Sequence, residues 1–139
     1  MRIMAFDYGT KRVGLAVTDP LQLIATALDT VHAQDVLAFV KDYLEREQVS
    51  TFVVGEPRQL DGSASESAQH VKGFVRTLRR TFPAIPVETI DERFTSKMAS
   101  AGIAQSGMSK KKRQDKGLID RVSAVLILQS YLEKRAFQQ

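Results

Sequence analysis

The sequence predicts an α/β fold in which an antiparallel three-stranded meander runs on into a parallel portion of sheet, and two observations carry that reading. The stretch 3–17 holds two apolar runs around a turn-prone middle, Asp7-Tyr8-Gly9-Thr10-Lys11-Arg12, which is the pattern of a β-hairpin. Further on, short β-branched apolar runs alternate with segments of helical periodicity. The resulting order of strand, strand, strand, helix, strand, helix, strand, helix implies right-handed crossovers and parallel pairing behind the meander.

Each element has its own signal. The first strand ends in Asp7, and Asp is disfavoured inside strands, so its place after Met4-Ala5-Phe6 calls for a hydrogen-bonded turn or a ligand. Gly9 and Gly14 permit close backbone approach or positive φ. Thr18-Asp19-Pro20 reads as a turn, and residues 23–28 resume as a third strand. Asp35 is placed to cap a helix whose Val36, Leu37, Val40, Tyr43 and Leu44 recur at helical spacing. Residues 51–54 form a short buried strand that stops at Gly55-Glu56-Pro57. Ser63 and Glu66 have capping-box spacing ahead of a helix marked by Ala68, Val71, Phe74, Val75 and Leu78. Arg76, Arg79 and Arg80 lie near its end, where cations complement the helix dipole, and read as structural. Residues 87–90 give another strand, ending at Asp91-Glu92-Arg93, and 95–105 is weakly helical. A final helix begins near Leu118 or Asp120 and is apolar almost all round, so it should be well buried.

Composition bounds the class. The 139 residues suit one domain, 1–139, with 43% hydrophobic and 26% charged residues. There is no cysteine, which excludes disulfides, thiolate metal sites and thiol nucleophiles. Only four apolar residues separate Arg2 from Asp7, too few for a signal-peptide core, and no apolar run approaches the roughly 20 residues that cross a bilayer. The expectation is a cytoplasmic protein with no membrane partner. A net charge of +4 is compatible with a polyanionic partner.

Several chemistries can be set aside. Gly9 to Ala16 has the glycine spacing of a Walker loop but carries Leu15-Ala16 where Lys and Ser or Thr are required. His32 and His70 are isolated, and no Gly-x-Ser-x-Gly elbow exists. Carboxylate chemistry remains. In parallel sheets ligands collect beyond the carboxyl ends of the strands, where Asp7, Glu56 and Asp91-Glu92 are all expected. Asp120, at the start of the last helix, could face them. Taken singly, Asp7 reads equally well as a turn residue, Glu92 as the ion-pair partner of Arg93, and Asp120 as a carboxylate at a helix N-terminus. Asp7, Glu92 and Asp120 together point to hard oxygen ligands for Mg2+ or Mn2+, able to support phosphodiester cleavage. Asp91 adjoins Glu92, and alternate strand residues face opposite ways, so one of the two should point inward. The run Lys110-Lys111-Lys112-Arg113 reads either as a solvated loop or as mobile point charges on phosphates.

With these residues in view, the sequence resembles the YqgF/RuvX family of RNase H-like pre-16S rRNA nucleases, also described as Holliday junction resolvases. The matching blocks are 6–16, Val53-Val54-Gly55 with Pro57 and Asp61-Gly62, 91–96, and 119–129. They occur in the family's order over nearly the whole chain. The resemblance implies an RNase H-like fold with a mixed five-stranded sheet of order 3-2-1-4-5 and helices on both faces. It also implies an acidic site of Asp7, Glu92 and Asp120. One departure is Glu56, which stands where the family usually has an apolar residue; it is read either as a fourth carboxylate near the metals or as pointing into solvent.

The leading expectation is a divalent-metal-dependent endonuclease acting on pre-16S rRNA, with Asp7, Glu92 and Asp120 holding Mg2+ or Mn2+ and with Lys11, Arg12 and Arg93 on phosphates. A resolvase of branched DNA is the rival within the same chemistry, and it should act as a symmetric homodimer; oligomeric state, monomer or homodimer, stays open. A noncatalytic RNA-binding assembly factor is the rival from another class. A phosphoryl-transfer ATPase is disfavoured, because related folds use two such lobes.

Overall fold

The structure is a computed structural model that describes residues 1–56, 67–91 and 116–138. Eight elements follow in order: β1 (Arg2–Tyr8), β2 (Arg12–Thr18), β3 (Ala25–His32), α1 (Val36–Arg46), β4 (Val49–Glu56), α2 (Ser67–Thr81), β5 (Val87–Asp91) and α3 (Lys116–Gln138). They build one five-stranded sheet of order β3-β2-β1-β4-β5. β1 and β2 pair antiparallel, as do β2 and β3, whereas β1 with β4 and β4 with β5 are parallel. This is the RNase H-like arrangement that the sequence led us to expect.

Strand alternation sorts side chains into two cores. Met4, Phe6, Val13, Leu15, Phe52 and Val54 face α1 and α2, where Val40, Tyr43, Phe74 and Leu78 meet them. On the opposite face Ile3, Ala5, Ala16 and Val53 meet Ala124, Ile127 and Leu128 of α3. β1 is buried on both faces, which is why its sequence is continuously apolar rather than alternating. The first core is knit by rings: Phe6 sits edge-on to Phe52 and Phe74, with centroids 5.5 and 5.4 Å away, and Tyr8 stacks on Phe74 at 4.4 Å. Such pairs add about 0.5–1.5 kcal/mol each beyond the area they bury.

On the α3 side the β1–β2 pairs toward the hairpin carry small residues. Ala5 pairs with Ala16 and Asp7 with Gly14 across β1 and β2, leaving little side-chain bulk beneath the helix. α3 therefore lies close on the strands, and its first turns reach the end of β1.

Four local expectations change. β3 runs from Ala25 to His32 rather than over 23–28. Leu23 and Ile24 lie in a turn held by Asp19, whose carboxylate accepts the backbone N–H groups of Leu21, Leu23 and Ile24 at 3.0, 2.8 and 2.7 Å. Those backbone groups cannot join a ladder while Asp19 holds them. Asp35 takes the N-cap position of α1 in an αR conformation and makes no side-chain capping bond. α3 begins at Lys116, ahead of Leu118. Lastly, α3 is only partly buried along one side, with Gln129, Ser130, Glu133 and Lys134 exposed, so it is less enclosed than its apolar run implied. The capping box at Ser63 and Glu66 and the weak helix over 95–105 lie outside the described residues. No helix among the described residues is long and apolar enough to cross a membrane.

Candidate active site

Asp7 is brought to the site by strand alternation. It follows Ile3 and Ala5 on the α3 face of β1, one step beyond the buried core. Its partner across the hairpin is Gly14. A Cβ placed on Gly14 would lie 2.1 Å from the carbonyl oxygen of Asp120 and 3.0 Å from its Cβ. The missing side chain thus lets the backbone of α3 rest against β2 at Asp120. Two carboxylates 113 positions apart in sequence, by difference of their numbers, come to one cavity through that contact.

The cavity has a volume of about 360 Å³ and is lined by Asp7, Tyr8, Gly9, Thr10, Lys11, Arg12 and Asp120. Its floor is the hairpin turn, closed by the Gly9 N–H donating to the Arg12 carbonyl at 2.9 Å. A Cβ on Gly9 would stand 2.9 Å from that same oxygen, so the turn too is specific for glycine. The Lys11 carbonyl accepts from the Ala33 N–H at 2.9 Å, tying the hairpin tip to the start of the segment before α1. Tyr8 lines the cavity while its ring stacks on Phe74, so it both shapes the site and packs beneath it.

Within the cavity Arg12 Nε donates to Asp120 Oδ2 at 2.8 Å. The Asp120 side chain keeps 20% of its surface and that of Arg12 40%, so solvent screens the pair and its net contribution is about 0.2–1 kcal/mol. Lys11 is exposed at the hairpin tip. Thus Asp7, Asp120, Lys11 and Arg12 all meet at one cavity. Glu92, Arg93 and Lys110, Lys111, Lys112 and Arg113 lie outside the described residues.

Glu56 and Asp91 are on the other side of the sheet. They are paired in register at the ends of β4 and β5, on the face that carries Phe52, Val54 and Val87 toward α2. Glu56 lines a separate groove with Lys72, Arg76, Arg79 and Thr89. The strand-end carboxylates therefore share an edge but divide between its two faces. Sequence reasoning placed the edge and missed this second groove, whose signal was the spacing of Lys72, Arg76 and Arg79 along one side of α2.

The oxygen donors Asp7 and Asp120 fit a hard divalent cation that keeps several water ligands. Among the described residues no set of three or more acidic or histidine side chains converges on one point.

A family model described as "RuvX: Holliday junction resolvase" matches residues 1–134. Proteins named "Putative pre-16S rRNA nuclease" from Parabacteroides distasonis and Porphyromonas gingivalis are 50% and 52% identical, over 99% and 95% of this chain and 98% and 96% of theirs. Among solved structures, Thermus thermophilus RuvC in complex with a Holliday junction substrate superposes with a TM-score of 0.58 at 18% identity, covering 99% of this chain and 96% of that one. The last likeness is one of fold.

Proposed function

The chain belongs to the RuvX family and is thereby a nuclease, and from that premise we propose that it is a divalent-metal-dependent endonuclease that trims the 5′ end of pre-16S rRNA. The observation that carries the reading is the convergence of Asp7 and Asp120 on one polar cavity beside Lys11 and Arg12. The names of its relatives support the substrate.

In this reading Asp7 and Asp120, joined by Glu92, hold Mg2+ or Mn2+. The bound ions supply an activated water and charge stabilisation for the leaving oxygen. The chain's own groups do the positioning. Lys11, exposed at the hairpin tip, meets a phosphate as a point charge, and Arg12 offers its planar fork to a phosphate entering the cavity. While no nucleic acid is bound, Arg12 neutralises Asp120. Tyr8, fixed by its stack on Phe74, keeps the wall of the cavity rigid. Arg93 and the Lys110, Lys111, Lys112 and Arg113 run extend the phosphate contacts.

A second reading, cleavage of branched DNA, is favoured by the description of the matching family. One experiment addresses both. The protein and Asp7→Asn are incubated with a 5′-extended pre-16S rRNA and with a four-way DNA junction, in Mg2+, Mn2+ or chelator. We expect metal-dependent cleavage of the RNA that falls about 100-fold or more in Asp7→Asn. Cleavage of the junction alone would move the assignment to branched DNA. Cleavage undiminished in Asp7→Asn would overturn the carboxylate site, and RNA binding without cleavage would favour a noncatalytic assembly factor.

A further inference from the structure

On the face of the sheet opposite Asp7 and Asp120, α2 and the ends of β4 and β5 enclose an open groove of about 350 Å³. Among the described residues Lys72, Arg76 and Arg79 line it, all exposed, against the carboxylate of Glu56, beside which Asp91 is paired in register. The three cations recur at helical spacing, so they form a row about 6 Å and then ~4.5 Å apart along the α2 axis. A row of this kind tracks a polymeric anion; a single small anion would be met by donors converging from several directions. Arg79 is anchored, its guanidinium donating to the Val87 carbonyl at 3.1 Å. Lys72 and Arg76 extend the row toward the start of the helix.

The groove and the candidate active site share one core. Val71 and Val75, which line the groove, cluster with Phe74, whose ring stacks on Tyr8 of the other cavity. The groove begins at Glu56, on the carboxyl-end edge that Asp7 also occupies but on the opposite face, and runs back along α2 to Arg79 at the start of β5. Cations that served only to complement the α2 dipole would be confined to its last turn. Lys72 lies in the first half of the helix, where a positive charge is not favoured by that dipole.

We propose that Lys72 and Arg76, with Arg79 at the end of the row, form a second phosphate-backbone site that holds an arm of the substrate RNA across the sheet edge from the Asp7 and Asp120 cavity. This rests on the nuclease reading for its choice of nucleic acid. The site is blind to base sequence and contributes binding rather than chemistry.

The test measures binding of a labelled RNA hairpin with a single-stranded 5′ extension by fluorescence anisotropy, in chelator, over a series of salt concentrations. Lys72→Gln/Arg76→Gln is compared with the wild type and with Lys41→Gln/Lys134→Gln, which removes the same charge from exposed positions on α1 and α3. Arg79 is left intact because of its bond to Val87. We expect Lys72→Gln/Arg76→Gln to bind about tenfold more weakly and its log–log salt slope to shrink by about 2, and Arg76→Gln alone to lose about half of that slope. The control pair should match the wild type, and thermal melts should show all variants folded. Equal losses in both double variants would overturn the second site and leave the nuclease reading standing on wild-type cleavage. Wild-type protein that neither binds nor cuts RNA would overturn both. Competition by polyglutamate as strong as by unlabelled RNA would assign the groove to acidic protein and overturn the proposal.

Discussion

The absent side chain of Gly14 and the backbone of Asp120 occupy the same space: a Cβ at residue 14 would sit 2.1 Å from the Asp120 carbonyl oxygen. No rotamer change relieves such an overlap, because the obstructing atoms are main chain. Gly14→Ala must push α3 off β2 at the point where Asp120 enters the cavity. Overpacking of this kind costs about 1–3 kcal/mol, and a melting temperature lower by roughly 5 °C or more is expected. Activity should fall further than stability at a temperature where the variant is still folded, since Asp120 moves relative to Asp7. A variant with wild-type cleavage would show that the contact does not set the site.

Arg12 and Asp120 make the second prediction. Removing the guanidinium leaves Asp7 and Asp120 without that neighbouring positive charge, so cation binding should tighten. The pair is partly exposed, which limits the gain to about fivefold at most from the pair itself. In Arg12→Ala we expect a lower Kd for Mn2+ by calorimetry and weaker RNA binding in chelator. Weaker Mn2+ binding would mean that Arg12 organises the carboxylate instead of competing for it.

Ser123 lies one helical turn beyond Asp120, fully buried, and its hydroxyl has no hydrogen-bond partner among the described residues. A buried unsatisfied hydroxyl carries a desolvation cost of about 1–3 kcal/mol. Ser123→Ala should therefore raise stability by about 1 kcal/mol and the melting temperature by roughly 3 °C. A decrease of that size would show the hydroxyl to be bonded in solution.

Much of this arrangement was legible in the chain, for identifiable reasons. Strand-terminal Asp7 announces itself because a carboxylate is out of place after Met4-Ala5-Phe6, and Gly14 announces a close approach. What it approaches is invisible, since nothing local to either segment couples residue 14 to residue 120; only the packing of Ala5 and Ala16 beneath α3 brings them together. The limits of β3 were misjudged because Leu23 and Ile24 are apolar yet 71% and 66% exposed, their backbone groups being claimed by Asp19. Arg76 and Arg79 satisfied the dipole argument, and that explanation concealed the groove they share with Lys72 and Glu56.

Tyr131 on α3 donates its phenol to Glu88 of β5 at 2.5 Å. Burial, reinforced by the Glu88 carboxylate, raises its pKa to about 12 from an ordinary value of 10.0. The folded state thus favours the protonated phenol more than the unfolded chain does. Its contribution to stability is complete below about pH 10 and is lost as pH rises toward 12. Tyr131→Phe removes this dependence. The difference in urea midpoint between wild type and Tyr131→Phe should be constant from pH 7 to about 9 and narrow steadily above pH 10. Tyr43, raised in the same direction by burial, is common to both proteins and cancels from the comparison. Ultraviolet titration of tyrosinate gives an independent check, because the variant should lack one late-ionising group. A difference that stays constant through pH 11 would show that the Tyr131 phenol is neither desolvated nor bonded to Glu88 in solution, and the tie between α3 and the outer strand β5 would have to be carried by Ile90 and its apolar neighbours alone.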